Sequence, residues 1–199
     1  MRSVPKWVLL PSSCAPAVLV LGWMVAASLH GPAYDPAAQT ISVLAAPGTS
    51  GSWVMTGAFV AVGACHLLTS WGLRPAATPG RLALAAGGVA ALAVAVIPAP
   101  SSGGSLSHGS IAAVGFSFLA AWPVLAARTG GAVPWGLRPL PSLGATAAMA
   151  VGMAWFLVEL QLQGAPGVAE RAVTTLQSLW PLVVVLSCLH RSARDRFPV

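Results

Sequence analysis

Residues 81–98 read RLALAAGGVAALAVAVIP, and the single charge in this stretch is Arg81 at its first position. About 20 predominantly apolar residues cross the hydrocarbon core of a bilayer as a helix. The run is continuous and lacks the two-residue alternation of a barrel strand, so it predicts a membrane-spanning helix. Five more stretches of this kind flank it. Together they predict an all-α, polytopic bundle with helices near 13–29, 53–73, 81–98, 107–127, 142–162 and 172–190, as one transmembrane domain over residues 1–199.

Composition agrees. The chain of 199 residues is 56% hydrophobic and 7% charged, with 10 basic and 4 acidic residues and a mean hydropathy of +0.80. A soluble domain carries roughly 25% charged residues, so lipid must solvate most of this surface. The sequence pI of about 10.7 does not point to nucleic acid, because the basic residues sit singly or in pairs at the ends of apolar runs. Arg2, Lys6 and the Ala26-Ala27-Ser28 segment resemble a secretory signal. The further apolar segments make an uncleaved first helix the simpler reading. Cys14, Cys65 and Cys188 form no CxxC pair and read as packing residues.

Orientation follows from Lys and Arg in the flanks. With the N-terminus inside, nine of the ten basic residues lie on the cytoplasmic side (Arg2, Lys6, Arg74, Arg81, Arg128, Arg138, Arg191, Arg194 and Arg196), and Arg171 alone lies outside. This predicts an N-in, C-in protein of the cell membrane. Helix association in lipid depends on close approach. Small residues at helical spacing are expected to provide it: Gly57 and Ala61, Ala83 and Gly87, and Gly144, Ala148 and Gly152. Trp71-Gly72-Leu73-Arg74-Pro75 recurs as Trp135-Gly136-Leu137-Arg138-Pro139. Either a duplicated hairpin or convergence on one interface chemistry accounts for the echo.

Polar chemistry gathers on the predicted outer side. Loop 30–52 holds His30, Tyr34-Asp35-Pro36 and Gln39-Thr40-Ile41-Ser42; a serine- and glycine-rich turn leads to Ser107-His108; the third loop holds Gln161, Gln163, Glu170 and Arg171. The Tyr34-Asp35-Pro36 and Gln39-Thr40-Ile41-Ser42 segments, Trp53-Val54-Met55-Thr56, Gly80-Arg81 and Ser107-His108 resemble a bacterial six-helix integral membrane family. That family is a domain of unknown function, number 998. The resemblance covers nearly the whole chain; it implies six helices and no particular reaction.

Candidate residues therefore rest on their own chemistry. Glu159, about one turn inside helix five, is an intramembrane carboxylate and so a default functional candidate, with an interfacial Glu paired to Arg171 as the plain alternative. Asp35 before Pro36 either joins it in acid–base work or makes a local turn. His108 and His30 are outer-face acid–base candidates or backbone-satisfied histidines. His66, Cys65, Cys188 and His190 lack metal-ligand spacing, so no metal or other cofactor is expected. Trp23, Tyr34, Trp53, Trp155 and Trp180 are assigned to the walls of an outer-half pocket, against belt and packing roles. There is no P-loop, dinucleotide fingerprint, HExxH or GxSxG.

The functional expectation is a pocket for a lipophilic, isoprenoid-like substrate. Its enzymatic form is a protonation-initiated terpene cyclase with Glu159, Asp35 and His108 as acid–base groups and aromatic faces for a carbocation. The alternatives are a non-catalytic subunit that binds lipid, or a protein partner at loop 30–52, and a small-solute transporter.

Overall fold

The computed structural model describes residues 3–194, so the topological anchors Arg2 and Arg196 lie outside the described residues. Six helices account for most of it: α1 Leu9–His30, α2 Ser52–Gly72, α3 Thr78–Val96, α4 Leu106–Ala126, α5 Pro139–Leu162 and α6 Pro166–Arg194. All six are long and apolar enough to cross a membrane, and no strand occurs among the described residues. The first five agree with the expected stretches to within a few residues at each end. The last does not: α6 begins six residues before the expected 172. Pro166 opens it, where a proline's missing N–H is harmless and its fixed φ suits a helix.

Each helix packs on its neighbours in the chain, and α6 returns to α1 to close the ring. One end of the bundle carries the first and last described residues and the 73–77 and 127–138 connections; the other carries loop 31–51, the 97–105 loop and the short α5–α6 turn. These are called the terminal face and the loop face. A separate apolar core fills each end. Val8, Leu73, Trp122, Leu137 and Val184 pack at the terminal face. At the loop face, Ile41 and Leu44 descend from loop 31–51 onto Ala26, Met55 and Phe59.

Glycines set the closest helix contacts, though not all of those expected. A Cβ on Gly63 would sit 2.7 Å from the Gly88 carbonyl oxygen, and one on Gly80 would sit 2.3 Å from Ala126 backbone atoms. Gly87 and Gly152 do face neighbours, Leu119 and Val173, but Gly57 and Gly144 meet open space. Small-residue spacing marks a stripe on a helix; which stripe faces protein depends on the ring. In the echoed segment the two copies play parallel parts. Trp71 and Trp135 are exposed, Leu73 and Leu137 are fully buried in one core, and Gly72 and Gly136 accept close neighbours.

One helix stands apart. The buried residues of α5 are Ser142, Ala145 and Met149, all in its first half. Toward the loop face α5 leaves α4 and opens a groove between them.

These contacts predict unequal glycine substitutions. Gly80→Ala should destabilise the protein by about 1–3 kcal/mol, as overpacking does, whereas Gly57→Ala should change little. Reversible unfolding in mixed micelles measures both, and equal effects would contradict the packing described.

Candidate functional site

The first two turns of α6 organise the loop face. Gly167 N–H donates to the Ala37 carbonyl at 2.9 Å. A Cβ there would lie 2.2 Å from the Gln39 carbonyl oxygen and 2.4 Å from that of Pro36, so the loop can rest on α6 only over a glycine. Arg171, one turn on, donates to the carbonyls of Pro36 (2.7 Å), Gln39 (3.3 Å) and Gly167 (2.7 Å), and to the Tyr34 hydroxyl. Its guanidinium lies 5.8 Å from the Trp23 ring centroid and 5.7 Å from that of Tyr34. Tyr34 is buried and donates toward the Gln39 and Thr40 carbonyls, each at 3.1 Å. Burial pushes its hydroxyl above the usual 10.0, partly opposed by Arg171. A raised folded-state value means this stabilisation is intact below pH 10 and lost as pH rises through the folded value.

Glu170 points the other way, into the protein. It is 4% exposed. Its Oε2 accepts the backbone N–H of Ile41, and its Oε1 accepts the Ser42 hydroxyl at 3.4 Å. Two cavities meet at this side chain. The inner one, of about 90 Å³, lies between α2, α3, α4 and α6 and is mostly apolar, with Glu170 and His66 among its polar lining residues. That volume far exceeds the ~10–15 Å³ needed to admit one water. The second, of about 370 Å³, is the groove between α4 and α5, walled by Phe116, Met153, Phe156 and Leu157 and bordered by His108. Phe116 and Phe156 stack across it with centroids 5.7 Å apart. Ser42, Ala112, Phe116 and Glu170 line both spaces.

The predicted site residues separate. Asp35 makes a local turn, its Oδ1 accepting from Ala37 N–H at 2.8 Å, and its side chain is exposed. Glu159 accepts from Ala165 N–H at 2.7 Å and from the Trp155 indole at 3.0 Å, and so caps the start of α6. Neither lines a cavity. His108 does border the groove; its Nδ1 lies 2.7 Å from the Ile97 carbonyl. A carbonyl only accepts, so that nitrogen carries a proton. Of the aromatic candidates, Trp23 and Tyr34 pack on Arg171, and Trp53 is 76% exposed. Trp155 meets Glu159, and Trp180 packs with Trp135 at the terminal face. None of the five lines either of these two cavities.

Glu170, Phe116, Phe156 and Gln177 are the residues that sequence reading passed over. A signal for the polar groups was present. Glu170, Thr174, Gln177 and Ser178 stand at i, i+4, i+7 and i+8, one face of a helix, and all four line the inner cavity. Placing 163–171 in a loop hid that face.

The anchoring predicts that Arg171→Ala releases the loop while leaving the bundle folded. Amide exchange at residues 34–42 should quicken about tenfold or more, since hydrogen bonds from a charged group are worth roughly 1.5–3 kcal/mol. Unchanged exchange there would contradict the role given to Arg171.

No curated protein and no solved structure matches the chain. A family described as "Protein of unknown function (DUF998)" matches residues 13–187. With nearly all of the six-helix bundle inside that match, the chain belongs to this family of unknown function.

Proposed function

We propose that this protein binds a lipophilic molecule with a single long hydrocarbon chain, of isoprenoid type, which enters sideways from the membrane between α4 and α5. The observation that carries the reading is the groove itself. Its walls are apolar, one side is the unburied half of α5, and its deep end meets the buried carboxylate of Glu170. Apolar pockets with a few placed polar groups are the usual form of a small-molecule site. A carboxylate inside a membrane protein is functional by default.

The basic residues support an orientation in the cell membrane with the loop face away from the cytoplasm, since seven of the eight described ones (all but Arg171) fall at the other end. In that orientation the groove opens to the outer leaflet. Loop 31–51 is the cover of the site, held down by Gly167, Arg171 and Glu170.

Binding is favoured over acid catalysis by the partners of Glu170. Both the Ile41 N–H and the Ser42 hydroxyl donate to it, which suits an acceptor better than a proton donor. Protonation-initiated cyclisation of an isoprenoid is the enzymatic form of the same reading. It would run through Glu170 or His108, which border the groove, because Asp35 and Glu159 are spent on local hydrogen bonds away from it.

A prenyl alcohol bearing a photoactivatable diazirine, applied to the protein in lipid nanodiscs, tests this. Crosslinks should concentrate on Met153, Phe156 and Leu157 and be competed by unlabelled alcohol. Phe156→Ala should weaken competition roughly tenfold or more, given about 1.5–3 kcal/mol for burying such a side chain. Labelling that spreads evenly to Val151 and other lipid-facing residues, without competition, would contradict the reading. Incubation of the same samples with prenyl substrates, with and without Glu170→Gln, reports any cyclised product.

A further inference from the structure

The hydrogen atoms of the inner cavity's polar groups are almost all committed elsewhere. Thr174 Oγ1 donates to the Glu170 carbonyl at 2.7 Å and Ser178 Oγ to the Thr175 carbonyl at 3.0 Å, both within α6. Gln177 Nε2 donates to the Phe116 carbonyl at 3.0 Å. Ser42 Oγ donates to Glu170. Apart from the second Gln177 N–H, what these groups have left is lone pairs: three hydroxyl oxygens, the Gln177 amide oxygen and the Glu170 carboxylate. Among the side chains lining this cavity, only that Gln177 N–H and the imidazole of His66 keep donor capacity. His66 is 1% exposed, and its Nδ1 has no hydrogen-bond partner.

A space lined by acceptors selects a guest that donates. A neutral alcohol offers one O–H. A protonated amine offers three N–H groups and a charge opposite to that of the carboxylate. The rings of Phe59 and Phe116 also border the space and favour a cation over their faces. The neighbouring cation, Arg171, is turned to the loop carbonyls and Tyr34.

We propose that the polar end of the lipophilic ligand is a protonated amine, seated where the two cavities meet, against Glu170, with its other N–H groups toward Thr174 and the Gln177 amide oxygen. This rests on the reading of the α4–α5 groove as the site of the hydrocarbon chain. An amine brings its own charge, so a buried carboxylate and its guest form a compensated pair. A carboxylic acid guest would set two anions together, which is costly in so apolar a space.

The test uses the full chain in lipid nanodiscs and three competitors with one geranylgeranyl tail, ending in an amine, an alcohol or a carboxylic acid. Each competes with the diazirine-bearing prenyl alcohol. The amine should bind at least tenfold more tightly than the alcohol, and the acid more weakly than either. Glu170→Gln should remove the amine's advantage over the alcohol, a difference between probes that misfolding cannot produce. Thr174→Val, which keeps the carboxylate, should reduce the advantage in part. Equal binding of amine and alcohol, or preference for the acid, would overturn the amine assignment and leave the groove reading in place. Failure of all three to compete would overturn the groove reading and this inference with it.

Discussion

The buried carboxylate of Glu170 holds the backbone N–H of Ile41 across 129 residues of chain, and the loop face depends on this contact. Ile41 begins a short 3-10 turn, so its N–H has no partner within that turn. A buried N–H and a buried carboxylate each cost several kcal/mol if left unmade in an apolar setting. Joined, they satisfy one another and fix where loop 31–51 crosses α6. Ile41 and Leu44 then drop into the core beneath. Gly167 is needed because the loop backbone passes too close for a side chain. Arg171 collects the carbonyls that the loop's turn leaves open.

The same contact gives the cavity its chemistry. Glu170 is anchored on one side by the loop and exposes its remaining acceptor capacity to the space between α2, α3, α4 and α6. Continuing down α6, Thr174 and Ser178 spend their hydroxyl hydrogens, and Gln177 one of its two amide hydrogens, on helix carbonyls, and all three present oxygen. Meanwhile no residue of α5 beyond Met149 is buried, and the groove beside Phe116 and Phe156 opens along that half. In the function proposed, the anchored, acceptor-rich head site and the apolar side entrance are complementary halves of one amphiphile site.

Six helices were legible because hydropathy over about 20 residues is a direct statement of solvent preference. The position of each helix in the ring was not, since packing decides which stripe of small residues meets protein. Gly63 and Gly88 touch while Gly57 and Gly144 do not, yet nothing local separates these pairs. Glu159 stood out in sequence because it lies in an apolar run, but the αL residue Gln163 turns the chain back and lets its carboxylate cap Ala165. Glu170 was hidden for the opposite reason. Its neighbours Gly164, Pro166, Gly167 and Arg171 read as loop, whereas Pro166 starts a helix that buries it one turn later. Asp35 before Pro36 showed both its possible roles, and the local turn is the one realised.

An electron cryo-microscopy structure in lipid nanodiscs, with a long-chain amine bound, addresses the central claim most directly. The account predicts a continuous chain of density between α4 and α5, passing Phe116 and Phe156 and ending within hydrogen-bond distance of Glu170 beneath an ordered loop 34–42. Density seated elsewhere on the bundle, or a Glu170 released from Ile41 and facing lipid, would contradict it.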